Sequence, residues 1–151
     1  MSDTQPVRHT FLLDEGEWDA HGHYWSDLGV EFVVEGHTSI THGRMHWASD
    51  GFMRLVLPDP VEFRNRYEIE PFQPGVDWTS WVSHDPAVGT LRGTFMLVDD
   101  CILSSYSSDD GCHTGTEAIV RVEECTYRAR GFAFASGRKL SSWSVVLHCS
   151  A

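Results

Sequence analysis

The sequence predicts an all-β, antiparallel, up-and-down barrel of about eight to ten strands, formed by a single domain. Three observations predict it. Apolar and polar residues alternate along many short segments, turn-forming residues separate these segments at short intervals, and no window keeps a helical apolar stripe over three turns. Closing the sheet removes the exposed edge strands that would invite aggregation. A Greek-key sandwich is the alternative, but it needs longer crossovers than most of these turns provide.

The expected strands follow one another along the chain and are separated by Gly, Pro, Asp or Ser residues. They cover residues 17–25, 30–35 (a strand that resumes at 38–47), 52–57, 61–70, 78–84, 89–98, 101–107, 115–123, 126–135 and 140–148. Gly36 is expected to kink the chain, and the Ser-Asp-Gly sequence at 49–51 is typical of a hairpin turn. The polar stretch at 106–117 is expected to be a surface hairpin.

Composition limits the classes of function. The chain has 151 residues and a formal net charge of −11 at pH 7. Its length fits one domain, and its charge repels phosphate backbones and anionic lipids, which disfavours nucleic-acid and membrane-surface partners. No apolar run reaches the roughly 18 residues of a membrane helix. Residues 1–10 are polar and lack a signal-peptide core, so we expect a flexible leader over 1–10, a barrel over 11–151 and a cytoplasmic location.

The four cysteines are expected to be free thiols. Cys101, Cys112, Cys125 and Cys149 show no C-x-x-C spacing that would indicate a zinc site or a redox pair. For a cytoplasmic chain, disulfides are unusual, and buried cysteine is a common core residue.

The first expected strand opens with Gly16-Glu17-Trp18, which resembles the entry signature of lipocalins and their calycin relatives. The resemblance implies a calycin-like barrel whose Trp18 closes one end. It also implies a basic residue near the last strand that packs across the indole, a role open to Arg128, Arg130 or Arg138.

His21-Gly22-His23 is similar to one part of the cupin metal motif. The glutamate and the later histidine of that motif do not follow. Glu17 and Asp19 share the strand face of the two histidines and would be able to add oxygen ligands. Because this face is almost entirely polar, we expect it to be solvated and predict no metal site.

Histidine and aromatic residues on the expected inner faces indicate a ligand site. His42 and His46 share a strand face that continues an apolar side, unless a register change at Gly36 or Gly43 turns them outward. An interior that is polar at one end suits a ligand with a carboxylate or hydroxyl head. The predicted lining residues are Tyr24, His42, His46, Tyr67, Trp78 and Tyr106.

We therefore expect the protein to bind a small, mostly apolar ligand with a polar head inside the barrel. One alternative is an enzyme in the same barrel, such as a cyclase, isomerase or lyase that uses an acid–base pair on a hydrophobic substrate. A second is a structural or assembly protein with a filled barrel. A homodimer would use an exposed apolar strand face. The sequence specifies neither a cofactor nor catalytic residues, and it contains no G-x-S-x-G, phosphate-loop or HExxH motif.

Overall fold

Ten antiparallel strands form a closed barrel in the computed structural model, which describes residues 7–150. The strands are β1 (Gly16–Ser26), β2 (Glu31–His42), β3 (Trp47–Leu55), β4 (Val61–Ile69), β5 (Trp78–Asp85), β6 (Gly89–Val98), β7 (Cys101–Ser108), β8 (His113–Glu123), β9 (Thr126–Ala135) and β10 (Arg138–Cys149). Each strand pairs with its neighbour in sequence, and β1 pairs with β10 to close the ring. The predicted fold class is confirmed. Within the described range, no helix is long and apolar enough to cross a membrane.

The hairpin between β2 and β3 differs from the sequence prediction. The chain reverses at residues 43–46, and Gly36 and Gly51 lie inside the two strands. A Cβ at Gly36 would lie 2.3 Å from the Phe52 carbonyl oxygen, and one at Gly51 would lie 2.2 Å from that of His37. These glycines therefore allow the two backbones to approach closely. The predicted kink at Gly36 and the predicted turn at 49–51 are wrong for this reason.

Residues before β1 cover one end of the barrel, which we call the floor. Phe11 and Leu12 are 7% and 1% exposed. His9 bonds through Nδ1 to the Tyr127 hydroxyl at 2.9 Å and through Nε2 to the Asp99 carbonyl at 2.8 Å. The last part of the expected leader is thus buried, whereas residues 1–6 lie outside the described residues.

Trp18 lies in this floor, as the calycin resemblance implies, but its neighbours differ. Its ring meets Phe11 and Tyr127 edge-on, with ring centroids 5.2 and 5.6 Å apart. Arg128, Arg130 and Arg138 are all exposed. The expected arginine packing is therefore wrong, because the N-terminal segment supplies Phe11 at this place and β9 supplies the buried Tyr127.

Cys125 and Cys149 form a disulfide, so the prediction of free thiols is wrong for these two residues. Strands β9 and β10 are joined at 136–137, and a β-bulge between Lys139 and Ser141 shifts their register by one residue. Because of this shift, Cys149 lies opposite Cys125, and its amide donates to the Cys125 carbonyl at 3.1 Å. Without the bulge, Cys125 would face His148. Cys101 and Cys112 are free.

The barrel wall is weakest between β4 and β5. Only Glu68 with Val82 and Ile69 with Trp81 pair across these strands, whereas β5 and β6 are paired along their full length. The unpaired part of β4 lies away from the floor. A lateral gap in the hydrogen-bonded wall therefore leads toward the inner face of β4.

Candidate functional site

Three aromatic rings lie flat against the inner wall of the barrel, each over a glycine of a neighbouring strand. A Cβ at Gly115 would meet two ring carbons of Tyr106 at 2.2 and 2.3 Å and its hydroxyl oxygen at 2.5 Å. In the same way, a Cβ at Gly93 would meet Trp81 at 2.5 Å, and one at Gly131 would meet Trp143 at 2.5 Å. The missing side chains let the rings lie along the wall, which keeps them out of the centre of the barrel.

Glu117 is the carboxylate of this inner face. It lies on β8 between the buried residues Gly115 and Ile119, and it faces the same side as they do. Its Oε2 accepts a hydrogen bond from the Trp143 indole Nε1 at 2.6 Å. Its Oε1 accepts none from any residue in the described range. Burial raises the pKa of Glu117, and the hydrogen bond from Trp143 only partly offsets this.

Two phenols face Glu117 from other strands. Tyr67 on β4 meets Trp81 edge-on at 4.7 Å, and Tyr106 on β7 lies 5.8 Å from the same indole. Burial is the main cause that raises the pKa of both hydroxyls, and the negative charge of Glu117 raises them further. Both phenols therefore stay protonated and are available as hydrogen-bond donors.

The larger side chains around Glu117 are more exposed than three isoleucines of the inner face, which we call the isoleucine layer. In this layer, Ile69 and Ile102 are 0% exposed, and Ile119 is 3% exposed. By contrast, residues that also face inward keep accessible surface and are half-buried: Tyr24, Phe32, Tyr67, Tyr106, Glu117 and Trp143. Short residues such as Ser104 complete this part of the wall. The open end is the end of the barrel opposite the floor. We call the region from the isoleucine layer to the open end the chamber.

Two buried polar atoms on the inner face of β8, one on each side of Glu117, make no hydrogen bond within the described residues. Within residues 7–150, the buried side-chain nitrogens that make no hydrogen bond are His113 Nδ1 and Arg121 Nε. Both residues share the inner face of β8 with Glu117, each four positions away, which is about 13 Å along a strand. Ile119 lies between Glu117 and Arg121. Arg121 therefore belongs to the floor, and His113 to the open end.

Three of the predicted lining residues face the chamber. Tyr67 and Tyr106 flank Trp81, and Tyr24 stacks on Phe63 near the open end, with ring centroids 6.0 Å apart. Whether these side chains bind a ligand stays a prediction.

The other three predicted lining residues lie elsewhere. His42 is at the floor, where its Nε2 bonds to the Leu12 carbonyl at 2.8 Å and its ring stacks on Trp47 at 3.8 Å. His46 is exposed in the turn at 43–46, because the strand expected to carry it ends at His42. Trp78 is 50% exposed on the outer face of β5, opposite in alternation to Trp81. Placement of His46 and Trp78 in the lumen is wrong.

A second polar cluster lies on the outer wall. His37 bonds through Nε2 to Glu17 at 2.6 Å and through Nδ1 to Asp19 at 2.8 Å. Its bond to Asp19, followed by that to Glu17, raises the pKa of His37. Since both ring nitrogens are already bonded to carboxylates, the imidazolium is held as a structural ion pair and is a poor candidate for a catalytic base.

The histidines of the HxH sequence do not join Glu17 and Asp19. His21 stacks on His148, with ring centroids 5.8 Å apart, and His23 pairs with Glu31 at 3.1 Å. No group of three or more His, Cys, Asp or Glu side chains within residues 7–150 is arranged to hold a metal ion. A groove of about 500 Å³ over β1–β3 includes His37 and Arg54, but it is an open outer surface.

Sequence reasoning missed Glu117 because β8 has an inverted pattern. Its outward-facing side chains include Ala118, Val120 and Val122, while its inner face carries His113, Glu117 and Arg121. Apolar alternation alone predicts the opposite orientation. One sequence feature did indicate the inward direction of Glu117: Gly115 and Ile119, the two buried residues of β8, lie on the same strand face as Glu117.

Comparison with known proteins identifies the fold and no sequence family. No protein-family model matches the chain, and no curated protein resembles it significantly. An S-type phycobiliprotein lyase, CPES from Guillardia theta, superposes with a TM-score of 0.68 at 10% identity over 98% of this chain and 94% of the lyase. Rv2717c from M. tuberculosis superposes with a TM-score of 0.67 at 14% identity over 97% of this chain and 100% of its own. At such identities the likeness shows the fold alone, a closed antiparallel barrel.

Proposed function

We propose that the protein binds a small, mostly apolar ligand in the chamber and orients it by Glu117, Tyr67 and Tyr106. The observation that carries the proposal is a half-buried carboxyl group, one oxygen of which is bonded to Trp143 while the other makes no hydrogen bond to a described residue, set among aromatic rings that lie against glycines. Few convergent polar groups in an aromatic wall are typical of small-molecule sites. Because Oε1 keeps accessible surface, a ligand donor would be able to reach it.

The gap between β4 and β5 is the proposed entrance. Tyr67 lies on the inner face of β4 beside the two residue pairs that end the β4–β5 ladder. Separating the strands beyond that point breaks no ladder hydrogen bonds, so this side of the wall opens at lower cost than any fully paired side.

A blocking substitution tests the proposal. Gly115→Val places its Cβ where the outer atoms of the Tyr106 ring now lie, so the phenol must turn into the chamber. We expect the wild-type protein to bind the neutral dye Nile red at one site with a blue-shifted emission, and Gly115→Val to lose at least about tenfold in affinity. Thr116→Val, on the outer face of the same strand, is the matched control and should bind normally.

Native mass spectrometry of the purified protein provides an independent check. A mass excess that disappears on denaturation would support a bound ligand. Equal dye binding by the wild type and Gly115→Val, or no dye binding by either, would contradict the proposal and favour a filled barrel.

An enzyme in the same chamber is the second candidate, and the raised pKa of Glu117 favours it. A carboxyl group that holds its proton to higher pH is suited to act as a general acid, with Tyr67 or Tyr106 as a second donor. One of the structural neighbours is named as a lyase. Turnover of a bound compound that is lost in Glu117→Gln, with binding retained, would distinguish catalysis from binding.

We also propose that the protein forms a homodimer. Trp78, Met96 and Leu103 lie side by side on the outer faces of β5–β7 and are 38–50% exposed. A second copy of the chain that packs on this apolar row would bury it. Light scattering should then give a dimer mass for the wild type and a monomer mass for Trp78→Glu.

The cytoplasm remains the proposed location, and the Cys125–Cys149 disulfide offers a way to test it. Disulfides persist mainly in oxidising compartments. Alkylation of the protein in intact cells should label four thiols if the cytoplasm is correct, and two if the protein resides in an oxidising compartment.

A further inference from the structure

We infer that the chamber selects ligands whose polar head is a nitrogen donor, such as a protonated amine, and excludes carboxylates. This inference rests on the proposed function and specifies its ligand class. It reverses the carboxylate or hydroxyl head expected from the sequence, because His42 and His46, which supported that head, do not face the chamber beside Tyr67 and Tyr106.

The charges that face Glu117 are mostly negative or neutral. Asp85, the last residue of β5, is half-buried, and its Oδ1 accepts hydrogen bonds from the Ala87 and Val88 amides in the adjacent turn. Its negative charge adds to that of Glu117 in raising the pKa of Tyr67 and Tyr106. From β9, β7 and β10, the residues next to Glu117 are Gly131, Ser104 and Trp143, none of which is ionisable at neutral pH. A ligand carboxylate here would approach two acidic side chains in a region of low dielectric.

The two cationic side chains on the inner face of β8 are too far to reverse this balance. His113 and Arg121 are each about 13 Å from Glu117 along the strand. Arg121 is also separated from Glu117 by the buried Ile119. Glu117 Oε1, which no described residue engages, is thus the acceptor that an incoming N–H donor would reach.

The aromatic walls favour the same chemistry. Trp143 lies over Gly131 and is half-buried, so the side of its indole away from the glycine is turned toward the chamber, whereas Trp81 is 3% exposed and is covered by Tyr67. An organic cation over an indole face is attracted by the ring quadrupole, and an anion is repelled by it. The Trp143 indole and the Glu117 carboxylate oxygen together form a site for an aromatic or alkyl amine.

Three probes of nearly equal shape test the inference: naphthylmethylamine, naphthylmethanol and naphthoic acid. Calorimetric titration of the full-length wild type should give the amine an affinity at least about tenfold above that of the alcohol, and the acid the weakest binding. In Glu117→Gln, the amine should bind no better than the alcohol. This isosteric substitution removes the charge while an amide oxygen can still accept from Trp143.

The protein as a whole is acidic, so a matched control is needed. Glu68→Gln removes one negative charge from the exposed outer face of β4 and should keep the full preference for the amine. The wild-type affinity for the amine should also rise with pH as Glu117 loses its proton, and the affinity for the alcohol should stay constant.

The outcomes separate the two proposals. If the alcohol binds and the amine binds no tighter, or if Glu117→Gln keeps the preference, the inference is overturned and the binding function stands. If none of the three probes binds while Nile red does, the naphthyl ligand class is excluded and the inference with it. If neither Nile red nor any probe binds, the proposed function fails as well.

Discussion

Glu117 is stabilised in the folded protein more as a neutral acid than as a carboxylate, since burial raises its pKa. A carboxyl group with a raised folded-state pKa contributes its full stability below its unfolded pKa and loses it as the pH rises through the folded value. Each unit of pKa difference corresponds to about 1.4 kcal/mol. The contribution of Glu117 to the free energy of unfolding therefore falls as the pH rises.

We predict that Glu117→Gln is more stable than the wild type at about pH 8 and that this advantage shrinks toward about pH 4. Urea unfolding at a series of pH values measures the difference. Thr116→Val, which changes no ionisable group on the outer face of the same strand, is the control for the pH series. An advantage that grows as the pH falls would mean that Glu117 is stabilised as a carboxylate.

At the scale of single strands, sequence patterns were reliable where one face is apolar and inward. The alternation of Val61, Phe63, Tyr67 and Ile69 in β4 is of this kind, and Tyr67 does face inward. They failed where an inner face is polar, as in β8, and where a glycine serves close packing of strands, as at Gly51. The failure at β8 arises because alternation reports which side is apolar, and an inner face can carry polar residues. The failure at Gly51 arises because a glycine was needed inside a strand for the close approach of β2 and β3.

The disulfide joins the end of the β8–β9 turn to the end of β10. It closes a loop between residues 125 and 149, for which the loss of unfolded-chain entropy is worth about 3.5 kcal/mol. We predict that Cys125→Ser lowers the free energy of unfolding by about this amount. Cys112→Ser, which removes an exposed free thiol, should leave stability unchanged under the same denaturant titration.

Reduction of the wild type should reproduce the Cys125→Ser value. If reduction and Cys125→Ser both leave the unfolding midpoint where it was, the bond contributes nothing to the stability of the fold, and the paired strands alone hold this corner of the floor.

For the whole molecule, the sequence was enough to predict a single antiparallel barrel and a calycin-like floor at Trp18. It was not enough to predict which end is closed by His9, Phe11 and Tyr127, because that contact joins residues more than a hundred positions apart. Half of the predicted lining residues face the chamber. Glu117, which organises the proposed site, becomes visible only when the strands are arranged around the ring.

The most direct test of the account is an NMR titration of the Glu117 side-chain carboxyl carbon, with and without saturating naphthylmethylamine. In the free protein the carbon should titrate above the usual range for glutamate, and with the amine bound its pKa should fall, because the ligand cation stabilises the carboxylate. An ordinary pKa for Glu117 that does not change when the amine is added would contradict the account.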